Sequence, residues 1–256
     1  MADDDTGTAG GPSRPAVAVF RPDDDRLEAA VELLDGLGVE PVADPMLAVE
    51  PTGARPRGDA AYTVLTSKTG AQLVADTGWE PGGQLCAIGE TTASALRDAG
   101  FEVGVVPAEF SSAGLVERLR DEVDGARVEV ARSDHGSEVL LDGLIDAGAY
   151  VHETVLYWLV RPEGAGVSAD RAADGRLDAA LFTSSLTVEH FLAAAEERGV
   201  RAAAVVGLED AVVGVIGEPT RETAEDRGIG VDVVAPTADF EALARAAVER
   251  LDDTVR

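Results

Sequence analysis

A single cysteine, Cys86, and a single lysine, Lys68, stand in a chain of 256 residues of which only 4% are aromatic. One cysteine excludes an internal disulfide, a cysteine zinc site and an iron–sulfur cluster held by this chain. The histidines, His135, His152 and His190, have no metal-site spacing. No apolar run approaches the roughly 20 residues that cross a bilayer. The first fourteen residues, which include Asp3-Asp4-Asp5, lack the apolar stretch of a secretory leader, so a cytoplasmic protein with no membrane partner is expected. Basic residues are scarce as well: 21 Lys plus Arg face 48 Asp plus Glu, for a formal net charge of −27. A nucleic-acid partner is not expected, because phosphate binding needs a Lys/Arg footprint. Neither a P-loop Gly-Lys-Ser/Thr nor a Gly-x-Gly-x-x-Gly fingerprint occurs.

What is present is a well-patterned apolar fraction of 45%, too high and too regular for a disordered acidic chain. An acidic, lysine-poor surface over such a core resembles proteins of salt-accumulating halophiles, in which net charge maintains solubility. The charge is therefore read as a mark of habitat rather than of a cationic partner.

Residues 1–14 read as a disordered tail, rich in Gly, Pro, Ser and Asp. Beyond it, short runs that are apolar on both faces alternate with amphipathic stretches, the pattern of parallel strands covered by helices. Strands are expected at Val17–Phe20, Val39–Val42, Ala61–Leu65, Leu85–Ile88, Val103–Val106, Val128–Ala131, Tyr150–Leu156, Ala179–Phe182, Ala203–Val206, Val212–Ile216 and Val231–Val234. Helices are expected near 26–36, 69–76, 91–99, 112–123, 137–147, 186–198, 219–227 and 239–251.

The chain also repeats itself. Ile88-Gly89-Glu90-Thr91-Thr92 matches Ile216-Gly217-Glu218-Pro219-Thr220, Thr66-Ser67 matches Thr183-Ser184, and Arg21 and Arg132 each close an apolar strand. Two similar α/β halves follow, at about 17–123 and 127–251. The proline-rich segment 41–57 and the extended segment 151–161 occupy equivalent places in the two halves, and could pair into a two-stranded connector.

A Gly-x-x-Thr turn between a strand and a helix offers backbone N–H groups and a hydroxyl at a helix N-terminus, which suits a carboxylate or phosphate. Gly89/Thr92 and Gly217/Thr220 form such turns, with plain helix capping as the other reading. Ser67, Ser184 and Ser185 likewise follow strands at helix starts. Arg21 and Arg132 fit either surface ion pairs or bidentate clamps on substrate carboxylates. Cys86, inside a strand, reads as a small core residue.

Taken together, Arg21-Pro22, Val64-Leu65-Thr66-Ser67, Ile88-Gly89-Glu90-Thr91-Thr92, Gly148-Ala149-Tyr150-Val151 with Val155-Leu156-Tyr157, Leu181-Phe182-Thr183-Ser184-Ser185 and Ile216-Gly217-Glu218-Pro219-Thr220 resemble the uroporphyrinogen-III synthase family over roughly 17–251. The resemblance implies two similar parallel-sheet α/β domains joined by a two-stranded β connector. One domain would combine 15–40 with 166–256, the other would be 52–152, and 41–51 with 153–165 would form the connector strands. It implies cyclisation of hydroxymethylbilane to uroporphyrinogen III, with inversion of ring D and loss of water, in the cleft between domains and without a cofactor. It also implies a monomer whose substrate is handed over by hydroxymethylbilane synthase.

Position by position, Thr92 and Thr220 match the family's Gly-x-x-Thr threonines, and Ser67 and Ser184 match its strand-end serines. Tyr157 matches the tyrosine associated with loss of the substrate hydroxyl, and is the candidate general acid, with packing in the connector as the other reading. With Arg21, Gly89, Arg132, Ser185 and Gly217 these residues make the expected substrate site. Ser137 departs from the family, standing where many relatives have arginine; Pro219 departs too, replacing a common Thr or Ala. The rival reading from the residues alone is a non-catalytic cytoplasmic two-domain binding protein for a small polycarboxylate or other anion.

Overall fold

A computed structural model describes residues 14–254. In chain order its elements begin β1 (Ala16–Phe20), α1 (Asp25–Gly36), β2 (Glu40–Ala43), β3 (Ala48–Pro51), β4 (Tyr62–Leu65), α2 (Lys68–Ala75) and β5 (Gln84–Ala87). There follow α3 (Glu90–Asp98), α4 (Ser112–Leu119), β6 (Arg127–Ser133), α5 (Glu138–Asp146), β7 (Tyr150–Val160) and α6 (Val167–Ala173). The chain closes with β8 (Ala179–Phe182), α7 (Ser185–Glu197), α8 (Arg201–Glu209), β9 (Val212–Val215), α9 (Glu218–Asp226), β10 (Val233–Val234) and α10 (Phe240–Thr254). The expected tail lies outside the described residues except for Arg14. That side chain is held, donating to the carbonyls of Gly38 and Val39 and to the Asp35 carboxylate.

The chain divides into two compact units. One combines the residues up to Ala48 with those from Val160 onward, and the other spans Val49–Leu159. Strand order is β10-β9-β8-β1-β2 in the first and β3-β7-β6-β4-β5 in the second. The pairings β1–β2, β1–β8, β8–β9 and β9–β10, and β4–β5, β4–β6 and β6–β7, are all parallel. The α/β reading of the sequence is thus what the chain forms.

Each sheet buries both faces, as the doubly apolar strands require. In β1, Val17 and Val19 meet Leu27, Leu34 and Leu243 from α1 and α10, whereas Ala18 and Phe20 meet the opposite layer of α6, α7 and α8. Phe20, Phe182 and Phe191 form that layer's aromatic centre, with ring centroids 4.6, 5.5 and 5.6 Å apart. In the second unit, Val64, Val128 and Val130 face α4 and α5, while Leu65, Leu85 and Ala131 face α2 and α3.

Three expectations need correction. Residues 203–206 are not a strand but the middle of α8, where Ala204 and Leu208 recur one turn apart on the buried side. α8 lies so close to α6 that a side chain at Gly207 would sit 1.8 Å from the Ala172 carbonyl oxygen. α6 itself was missed because its seven residues show too little periodicity. Val103–Val106 makes one isolated bridge, Cys86 to Val105, rather than a strand.

Candidate active site

In the second unit, parallel pairing brings the carboxyl ends of β4, β5, β6 and β7 to one edge of the sheet, where ligands of open α/β sheets bind. Ser67, just past β4, caps α2: its Oγ accepts the Gly70 N–H at 2.9 Å. The same oxygen accepts a hydrogen bond from the Tyr157 hydroxyl at 3.0 Å. The candidate acid and a candidate binding serine, ninety residues apart in sequence, are therefore directly joined. Tyr157 is 6% exposed and packs with Leu65, Ala71 and Leu156.

A β-bulge accounts for the position of Tyr157. Along β7, Arg132 of β6 pairs with Val155, but the next residue, Ser133, pairs with Tyr157. The extra residue breaks the alternation, so Leu156 and Tyr157 both turn to the α2/α3 face, the kind of re-aiming that bulges provide beside functional sites.

Gly89 caps α3 without any side-chain hydrogen bond, leaving N–H groups of the first turn free. Its backbone is extended, with φ −168°, so no left-handed conformation demands glycine there. Space there is tight, since a Cβ on Gly89 would lie 3.2 Å from Phe110 Cβ and would need Phe110 to give by a few tenths of an ångström. Thr92, on the first turn, is 4% exposed. The carboxylate of Glu90 turns away from the helix end to Arg97.

Arg132 is 3% exposed, far from the surface setting of an ordinary ion pair. Its Nε donates to Glu153 at 2.5 Å, one Nη to the Ser137 carbonyl at 2.8 Å and the other to Glu138 at 2.7 Å. Burial works against its charge, but the Glu153 and Glu138 hydrogen bonds outweigh it and hold the guanidinium above its usual range. Three of its five N–H groups thus serve the strand end and the start of α5. Gly136 makes this path possible, since a Cβ there would meet Arg132 Cδ at 2.3 Å. Beside it, Asp134 accepts from His135 and from the Leu159 N–H; these bonds overcome its burial and keep the carboxyl below the usual range.

In the first unit the equivalent strand ends carry Arg21, Ser184 and Gly217. Ser184 forms a full capping box with Thr187, a partner the sequence reading missed although Ser-x-x-Thr spacing was visible. Ser185 Oγ donates to the Pro219 carbonyl at 3.0 Å and accepts from Thr223 Oγ1 at 2.8 Å, tying α7 to α9. Gly217 caps α9 with no side-chain bond and φ of 177°. Unlike Gly89 it is open, with only Pro219 Cδ, 4.0 Å away, near a would-be Cβ. Thr220, one turn on, is 3% exposed.

Arg21 places its guanidinium carbon 5.0 Å from the centre of the Phe240 ring, and its buried Nε has no hydrogen-bond partner. Burial, then the neighbouring Arg26, lower its pKa despite the opposing Asp24. An under-satisfied cation at a strand end is chemically ready for an anion.

The residues left out of the site have their own partners. Cys86 is buried in β5 and its thiol is pushed up to about 12 by that burial, which makes it inert. His152 bonds Glu129, and His190 bonds the Met46 carbonyl.

Comparison with known proteins fits this arrangement. The profile of the family described as "Uroporphyrinogen-III synthase HemD" matches residues 28–245. A relative from Methanothermobacter thermautotrophicus, provisionally named a uroporphyrinogen-III synthase, is 29% identical over 230 residues, 83% of this chain and 90% of its own. Among solved structures, a mutant uroporphyrinogen III synthase from Thermus thermophilus superposes with a TM-score of 0.65 at 18% identity, covering 94% of this chain and 99% of that one. Uroporphyrinogen-III synthetase from Helicobacter pylori gives 0.60 at 15% identity, covering 95% and 100%. At these identities the two structures speak to the fold, and the profile match speaks to descent. The chain belongs to the uroporphyrinogen-III synthase family, whose known reaction is the cyclisation of hydroxymethylbilane.

Proposed function

We propose that this chain closes hydroxymethylbilane to uroporphyrinogen III with the residues at its strand ends, and that Tyr157 is the general acid. The observation that carries the assignment of the acid is the Tyr157 hydroxyl bonded to Ser67 Oγ at 3.0 Å, at the edge of the sheet. In the reaction, the substrate's hydroxymethyl C–O bond breaks as Tyr157 gives its proton to the departing oxygen, so that water leaves rather than hydroxide. Loss of water leaves a protonated azafulvene, which would close spontaneously to the symmetric type I isomer, the attacking ring carbon then giving up its proton. The protein's task is to hold ring D so that its substituted carbon attacks first, through a spiro intermediate, and positioning carries much of that work.

Eight substrate carboxylates need donors, which a chain of charge −27 can supply only locally. The first-turn N–H groups of α3 and α9, which no side chain caps, are suited to them, and Arg21 at the end of β1 adds a cation in the first unit. Ser67, Ser184 and Ser185 border these positions, and Thr92 and Thr220 pack beneath them. Arg132 acts from behind, by fixing the end of β6.

We further propose a cytoplasmic monomer of a salt-accumulating organism that takes its substrate from hydroxymethylbilane synthase. Among the described residues no helix is long and apolar enough to cross a membrane. The test is direct: purified protein in molar KCl, coupled to hydroxymethylbilane production, is expected to give mainly the type III isomer on HPLC. Type I product alone would overturn the proposal.

A further inference from the structure

Phe110 is 64% exposed, in a chain with only six phenylalanines. Isolated exposed apolar side chains are common and mean little by themselves. This one differs from Ile145 on α5 or Val206 on α8 in where it is held. A Cβ built on Gly89 would lie 3.2 Å from Phe110 Cβ and 3.3 Å from Cγ, so Phe110 stands against Gly89, the residue that begins α3 with no side-chain cap.

The loop that carries it is fixed on both sides. The Ser111 N–H donates to the Glu109 carbonyl at 2.8 Å, while Ser111 Oγ donates to the Glu109 carboxylate at 2.8 Å and accepts from the Gly114 N–H at 2.9 Å. Gly114 has no room for a side chain, because its Cβ would meet the Glu109 carbonyl oxygen at 2.2 Å. A capped turn thus presents an aromatic ring to solvent with little backbone freedom left to lose.

The corresponding loop of the first unit is built the other way. Phe240, at the start of α10, is 8% exposed and lies under Arg21, and nothing roofs Gly217. Only the second unit pairs an uncapped glycine turn with an exposed aromatic among the described residues. An anion-accepting turn and an apolar ring side by side match one chemistry: a flat aromatic ring bearing carboxylates. A pyrrole of a polycarboxylate tetrapyrrole is that object.

We infer that Phe110 is a positioning residue for the substrate, packing against a pyrrole ring whose carboxylate takes the N–H groups of the Gly89 turn. The inference rests on the reading of this edge as the substrate site. Aromatic pairs favour offset or edge-to-face contact, which leaves the phenyl ring free to meet the pyrrole obliquely.

The test is steady-state kinetics on Phe110→Ala and Phe110→Tyr beside the wild type, with isomers resolved by HPLC. Phe110→Ala is expected to raise KM about 5–10-fold with kcat within about twofold, the result of losing one aromatic contact. Because the ring is exposed, its Tm is expected to stay within about 2 °C of wild type. Phe110→Tyr keeps the ring and is expected to restore KM to within about twofold. If wild type makes the type III isomer and Phe110→Ala has unchanged KM, the inference fails while the site reading stands. It fails likewise if Phe110→Ala melts well below wild type, since the ring would then be structural, or if Phe110→Tyr is as impaired as the alanine variant. Wild type that makes only type I product removes the site reading itself.

Discussion

The Tyr157 hydroxyl and the Gly70 N–H both point at one oxygen, Ser67 Oγ, and the two bonds have separable consequences. Tyr157→Phe removes a single hydrogen bond, about 0.5–1.5 kcal/mol, and leaves the α2 cap in place. Its Tm should therefore fall by only a few degrees, whereas a lost general acid should lower kcat about 100-fold or more. Activity that survives Tyr157→Phe would take this hydroxyl out of the chemistry. Tyr157 was legible only through family resemblance, because nothing in Val155-Leu156-Tyr157-Trp158 says which way the ring points. The β-bulge that turns it inward depends on how β6 and β7 pair, a relation between distant segments that single-chain periodicity does not record. Arg132 was hidden for the same reason: its strand-end place was visible, but its partners Glu138 and Glu153 come from the next helix and the next strand.

Two kinds of helix start stand out, serine-capped and glycine-begun, beside α1, whose cap is the Asp24 carboxylate, and α5, which Ser137 precedes without a side-chain bond. Ser67, Ser111 and Ser184 cap α2, α4 and α7 with their hydroxyls, while Gly89 and Gly217 begin α3 and α9 with none. Both kinds were readable as turn chemistry, since capping follows from a local motif. Which turns stay open was not readable, because it depends on neighbours such as Phe110. At Ser184 the two roles can be divided by substitution. Ser184→Ala should cost about 1 kcal/mol of stability, and Ser184→Gly only a few tenths, because glycine tolerates the cap conformation. Urea unfolding of the two variants checks this. If Ser184 also meets substrate, the glycine variant should regain stability yet keep the raised KM of the alanine variant; recovery of both would confine Ser184 to capping. The element that sequence misplaced, 203–206, shows the limit of such local reading. Ala-Ala-Val-Val is apolar without a polar face, and only packing against α6 decides that it is helix.

For the molecule as a whole, the internal repeat was the strongest guide, since two copies of the same strand-end motifs specify two sheets of the same kind. The charge is the other global property, and it makes a prediction about conditions. Forty-eight acidic residues share 21 basic ones, and most arginines already sit in ion pairs that are largely exposed, such as Arg97–Glu90 and Arg245–Glu241. Exposed pairs of this kind contribute about 0–1 kcal/mol each, so screening them sacrifices little. The unpaired acidic excess repels itself over a range set by salt: the Debye length is about 10 Å at 0.1 M and about 3 Å at 1 M. Added salt should therefore remove more repulsion than attraction. If the relief amounts to about 3 kcal/mol, Tm should rise by roughly 10 °C between 0.1 and 2 M KCl at the 2–4 °C per kcal/mol expected of a chain this size. Activity should rise in parallel, because an eight-carboxylate substrate approaching a chain of −27 meets the same repulsion. Calorimetric melts and initial rates across a KCl series measure both, with sucrose at matched osmolality as the uncharged control. A Tm and a rate that peak below about 0.1 M KCl, or that rise equally in sucrose, would mean that the acidic surface is not what salt acts upon.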